Sequence, residues 1–215
     1  MTTIAADSLE KLKDFEVSVR PEQILRAHYP DLGPVAAEVR KVAAAMAAHA
    51  LEVARPVGWL RQVKVRAVEG TRVELDGGAT LNSATLAGLL RESPAVQLVA
   101  VTLGPQIDER VHQLFEAMDG LEGLFLDTAG WVAVQSALSA VRRHCAAKAR
   151  SDGYRLTRRI GPGYLDWALD EQAIVFRALA GGDTLPPVEV LDSGAILPEK
   201  TLTGLFGLVP PSKEQ

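Results

Sequence analysis

Residues 158–169 read Arg-Arg-Ile-Gly-Pro-Gly-Tyr-Leu-Asp-Trp-Ala-Leu and bring together the residue types that a small-ligand site needs. Gly161 and Gly163 flank Pro162, so two positions lack a Cβ and the third has a fixed φ, which lets main-chain amides come close to a bound molecule. Arg158 or Arg159 can grip a carboxylate through a planar fork of donors, and Tyr164 and Trp167 supply rings. Together these suit a zwitterion that carries a flat base. The same residues also suit a Pro-Gly turn after a strand with two solvated arginines.

Elsewhere the chemistry-bearing residues read more blandly. His49 lies in an alanine-rich helical stretch, where a lone histidine is more often packed or solvated than a ligand. Ser136 and Ser193 lack a nucleophile-elbow setting, His144-Cys145 falls on an apolar helical face, and Asp108-Glu109 looks like the solvated first turn of a helix. Asp76-Gly77-Gly78 lacks the G-x-G-x-x-G spacing of a nucleotide loop.

The chain has 215 residues, 47% of them hydrophobic and 23% charged, which fits one soluble domain over residues 15–211 behind a loose lead-in of residues 1–14. A net charge of −4 without a basic block gives nucleic acid little to hold. The single cysteine, Cys145, excludes an intrachain disulfide framework and a cysteine-held zinc or iron–sulfur site. The first ten residues lack a basic region followed by an apolar core, and no stretch is expected to reach the length of a membrane span. The cytoplasm is the default expectation.

The elements that must position residues 158–169 follow from periodicity. Residues 15–19 alternate as a half-buried strand does, and Pro21 opens a short helix to His28. A helix over 35–54 carries a stripe of Val35, Val39, Val42, Met46 and Val53 that Pro56 ends. Strands over 59–68 and 72–75 form a hairpin, a short helix follows over 84–91, and the apolar run 96–103 predicts a central strand covered on both faces. Helices are expected over 107–118 and, as one long or two short, over 124–149, with Cys145 in the core. A strand over 154–160 delivers the Gly-Pro-Gly turn, a helix over 170–179 stops at Gly181-Gly182, and strands over 188–191 and 203–209 close the fold. One hairpin and late strands without crossover helices predict an α+β fold, a mainly antiparallel, twisted sheet flanked by helices.

Arg159-Ile160-Gly161-Pro162-Gly163-Tyr164 resembles the Arg-x-x-Pro-Gly-Tyr signature of the S-adenosylmethionine-binding activation domain of cobalamin-dependent methionine synthase. Asp166-Trp167-Ala168-Leu169 and Glu171-Gln172 look like its continuation in free-standing members, with Ala168 where proline is more usual. Residues 197–207, Leu-Pro-Glu-Lys-Thr-Leu-Thr-Gly-Leu-Phe-Gly, are similar to the family's C-terminal segment, and residues 101–104 and 126–130 to its central strand and following helix. The resemblance implies S-adenosylmethionine as ligand, with Arg159 on its carboxylate, the backbone of Gly161, Pro162 and Gly163 against its adenosine portion, and Tyr164 and Phe206 lining the site. Phe206 stands about where the family has a tyrosine, and Gln135 near a family glutamate.

No histidine here sits in the Asp-x-His-x-x-Gly setting of cobalamin domains, so the resemblance implies cobalamin presented by a partner, a cobalamin-carrying methyltransferase. The reducing electron would come from a flavodoxin-like or other donor. The expected role is reductive methylation of cob(II)alamin on that partner. Its alternative is a scaffold module that binds a corrinoid protein without using S-adenosylmethionine. Ordinary methyl transfer to a small molecule is disfavoured, because no Gly-rich acidic loop follows an early strand.

Overall fold

A computed structural model describes residues 8–30, 35–183 and 187–211. Its main sheet contains β1 (Glu10–Leu12), β2 (Val57–Glu69), β3 (Arg72–Leu75), β4 (Thr80–Asn82), β5 (Ala95–Thr102), β6 (Arg155–Leu156) and β9 (Thr201–Val209). The order is β4-β3-β2-β5-β9-β6, with β1 on the first part of β2, and every pairing is antiparallel. A separate hairpin joins β7 (Glu189–Val190) to β8 (Ile196–Leu197). The helices are α1 (Pro21–His28), α2 (Ala37–Val53), α3 (Ala84–Leu90), α4 (Gln106–Glu116), α5 (Gly120–Ser151) and α6 (Gln172–Ala180). The fold is α+β, as the residue pattern predicts.

Central strand β5 is buried along its whole length, and its side chains alternate between two cores. Val99 and Val101 meet α1, α2, α4 and α5, whereas Val96, Leu98 and Ala100 meet α3, α6 and the turn after Ile160. The expected long helix is a single one of 32 residues. Among the described residues α5 is the one helix long and apolar enough to cross a membrane, which the sequence reading did not anticipate, but more than half of its apolar stretch is buried inside the fold. Cys145 lies in that core, and burial foremost pushes its thiol up to about 12. In α2 the fully covered positions are Ala43, Ala47 and Ala50, with the valine stripe packed partly against the same core.

Three strand expectations need correction. Residues 15–19 make no ladder, although Val19 is buried: the Ser18 amide donates to Ser136 Oγ on α5, so a helix side chain takes the bond a neighbouring strand would have taken. The N-terminal strand is instead β1, from within the expected lead-in, whose residues 1–7 lie outside the described residues. The strand over 188–191 reduces to β7, which pairs with β8 rather than with the main sheet.

The strand over 154–160 is broken. Leu156 pairs with Leu208 but Ile160 pairs with Leu205, which leaves one extra residue on the Ile160 side, a bulge. Thr157 Oγ1 accepts the Gly207 amide within that irregularity. Thr157 is still paired with Gly207, so the extra residue falls at Arg158–Arg159, opposite Phe206, and the bulge that contains Arg159 sets how the next turn leaves the sheet.

Candidate ligand-binding site

The turn after Ile160 closes on itself. The Tyr164 amide donates to the Gly161 carbonyl at 3.1 Å, the Trp167 amide to the Tyr164 carbonyl at 3.1 Å, and the Gly163 amide to the Trp167 carbonyl at 2.8 Å. Gly163 has φ +84°, a conformation that favours glycine. At Gly161 the constraint is space, since a Cβ there would stand 2.9 Å from the Thr203 carbonyl oxygen. The turn therefore lies directly on the start of β9.

Three polar anchors fix it from outside. Asp166 accepts from Ser83 Oγ at 3.0 Å and from the Ala84 amide at 2.6 Å, and so caps α3. Trp167, 1% exposed, donates to Glu171 at 2.7 Å, and Glu171 also accepts from the amide and side chain of Asn82. Gln172 donates to Thr203 Oγ1 at 2.6 Å. These three residues belong to the stretch that resembles the family motif, and their contacts are structural.

Hydrogen bonds from Thr85 foremost, then from Ser83 and the Ala84 amide, hold the Asp166 carboxyl down to about 2 against some desolvation. A carboxyl lowered on folding gives stability that is complete above its ordinary pKa of about 4 and is lost as pH falls from there through about 2. Asp166→Asn is expected to lower the urea midpoint at neutral pH and to flatten the midpoint's decline between about pH 4 and pH 2. An unchanged decline would remove Asp166 as the anchor.

Between the turn and the β7–β8 hairpin lies an open cavity of about 460 Å³. Arg159, Pro162, Tyr164, Trp131, Glu199 and Thr203 line it, with backbone and apolar side chains of the hairpin. Arg159 Nη1 donates to the Thr203 carbonyl, and the guanidinium lies over the Tyr164 ring, 5.2 Å from its centroid. Among the described residues no carboxylate is within ion-pair distance of Arg159. Its charge is held in place by a neutral carbonyl and a ring, and its remaining donors are available to an anion.

Not every expected residue arrives here. Arg158 is exposed and does not line the cavity, Trp167 is in the core, and of the Gly-Pro-Gly turn only Pro162 is in the lining, Gly161 lying against the Thr203 carbonyl and Gly163 against Leu169. Phe206 is fully buried in the core that β9 shares with α2, α4 and α5 and lines no part of this cavity, a correction to its expected place. Successive residues of a strand face opposite ways, so when Leu205 packs toward Ile160 and Trp167, Phe206 cannot. Gln135 lines a neighbouring depression of about 630 Å³ that shares Trp131 but not Arg159.

Trp131, Glu199, Thr201 and Thr203 are among the lining residues that sequence reasoning missed. Trp131 is 42% exposed on α5, yet at i and i+7 it shares the face of Leu138, so its spacing carried no sign of a place in a cavity wall. The β9 residues carried no sign of chemistry beyond their place in a family-like segment.

No family model matches this sequence, and no curated protein matches it. Among solved structures the fold is similar to the MetH reactivation domain bound to AdoHcy, with a TM-score of 0.62 and 14% identity, over 98% of this chain and 82% of that chain. At that identity the likeness establishes the fold.

Proposed function

We propose that the chain binds S-adenosylmethionine beside Arg159 and supports reductive methylation of cob(II)alamin on a separate cobalamin-dependent methionine synthase or related corrinoid methyltransferase. The observation that carries this is the Arg159 guanidinium, which faces a cavity of ligand size with no carboxylate among the described residues within ion-pair distance, on a fold shared with a domain bound to AdoHcy. Arg159 takes the amino-acid carboxylate, the backbone of Gly161, Pro162 and Gly163 approaches the adenosine portion, and Tyr164 covers the ligand. The corrinoid comes with the partner and supplies the cobalt nucleophile, and its electron comes from a flavodoxin-like or other donor. This chain's part is to hold and orient the methyl donor and to present an apolar rim, in which Tyr164, Leu165, Leu169 and Leu197 are all exposed, to the partner.

Isothermal titration of the purified chain with S-adenosylmethionine tests the first step. Saturable heat at one site per chain is expected, and no heat refutes it. A second reading, a corrinoid-protein scaffold that no longer uses the methyl donor, draws support from Phe206 lying in the core and Gln135 outside the cavity. Capture of a cobalamin-carrying methyltransferase at full affinity by a chain that gives no heat with S-adenosylmethionine would favour it.

A further inference from the structure

Lys200 has no exposed surface, yet its position is that of a charged group. Its ammonium stands 2.7 Å from Asp127, 3.4 Å from Asp108 and 3.4 Å from Glu199, and 5.2 Å from the centroid of the Trp131 ring. Burial works against the charge, but the hydrogen bond and charge of Asp127, then the charges of Asp108 and Glu199, outweigh it and raise the Lys200 pKa above its ordinary value. Burial foremost raises the Asp108 carboxyl in turn, against the pull of Lys200.

The surrounding chain is built to admit this side chain. A Cβ at Gly130 would come within 2.8 Å of Lys200 Cε and 3.0 Å of Ile107, so glycine makes the channel for the lysine stem. The Leu103 amide donates to the Lys200 carbonyl at 3.0 Å, and the Glu199 amide to Asp108 at 2.7 Å. An ammonium this deep requires a partner, and one carboxylate would neutralise it. Three leave an excess of negative charge. Two of the groups that Lys200 holds, Trp131 and Glu199, line the cavity that Arg159 also lines.

We infer that Lys200 is a positioning residue that fixes the Trp131 ring and the Glu199 carboxylate in the cavity wall, and that Glu199, with the surplus negative charge behind it, makes the site select a cationic sulfonium ligand over its neutral thioether. This rests on S-adenosylmethionine occupying the cavity. Arg159 then sets the position of the carboxylate end, and the acidic wall discriminates by charge.

The test is titration of wild type, Glu199→Gln and Lys200→Met with both S-adenosylmethionine and S-adenosylhomocysteine, at low and high salt. Wild type prefers the sulfonium ligand, and the preference shrinks with salt. Glu199→Gln, whose side chain is 62% exposed, lowers the affinity ratio by about three- to fivefold, the scale of a partly solvated charge pair. Lys200→Met weakens both ligands and shifts tryptophan emission in the free chain. If that variant does not fold, Asp127→Asn, which removes the ammonium's nearest partner and leaves Asp108 and Glu199, replaces it: tryptophan emission again shifts and both ligands weaken, the sulfonium ligand more, because part of the surplus negative charge is gone. Binding of neither ligand by wild type overturns the proposed function and this inference with it. Binding of both at a ratio that Glu199→Gln leaves unchanged overturns the charge selection alone, and unaltered affinities in the folded lysine or aspartate variant overturn the positioning role.

Discussion

Trp167→Ala is expected to lower the free energy of unfolding by about 3–5 kcal/mol, the range for removing a large buried aromatic side chain. Trp167 is among the largest fully buried side chains and packs with Ile160, Phe176 and Leu205 between the turn and the sheet. Its indole also donates to Glu171, which accepts from Asn82 next to α3. The substitution therefore opens a cavity and loosens a three-part polar link at once. Trp167→Phe separates the two effects, because it keeps most of the volume and loses the donor, and should cost about 1–3 kcal/mol. Urea denaturation followed by circular dichroism measures both. A loss below 1 kcal/mol for the alanine variant would mean that the turn is not held from beneath.

Arg159→Ala is expected to weaken S-adenosylmethionine binding by about 30- to 150-fold, equivalent to 2–3 kcal/mol for charge-assisted hydrogen bonds to a carboxylate. The folded state loses little by comparison. Among the described residues the Arg159 side chain makes one hydrogen bond, to the Thr203 carbonyl, and one ring contact, to Tyr164, so its removal costs about 1 kcal/mol of stability. Arg159→Lys restores the charge but not the planar fork and should recover only part of the affinity. Calorimetric titration beside a thermal melt distinguishes this pattern from unfolding. Equal affinities in wild type and the alanine variant would place the ligand elsewhere.

The strongest sequence signals are local ones, and the structure follows them. The apolar run of β5 needs cover on both faces and has it, and Gly181 ends α6 in the left-handed conformation its residue type favours. The Gly-Pro-Gly turn was visible because glycine and proline constrain the backbone wherever they stand. What escaped depends on distant parts of the chain. Strand β1 has three residues, too few to show alternation, and exists because β2 offers it an edge. Residues 15–19 alternate convincingly but find a serine of α5 where a strand was expected.

The site divides in the same way. Arg159, Gly161, Pro162, Gly163 and Tyr164 are neighbours in sequence and could be read together. Lys200 meets Asp108, Asp127 and Trp131 only because β9 runs beside β5 under α4 and α5. Phe206 shows the opposite hazard, a residue close in sequence to the cavity that strand alternation turns to the other face.

The most direct measurement is amide chemical-shift mapping of the isotopically labelled chain as S-adenosylmethionine is added. The account predicts saturable shifts concentrated at Arg159, Gly161, Gly163, Tyr164 and Thr203, absent in Arg159→Ala at the same ligand concentration. Shifts confined to the separate cavity of about 520 Å³ beside Arg61, Gly77 and Arg177, or no shifts at saturating ligand, would contradict it.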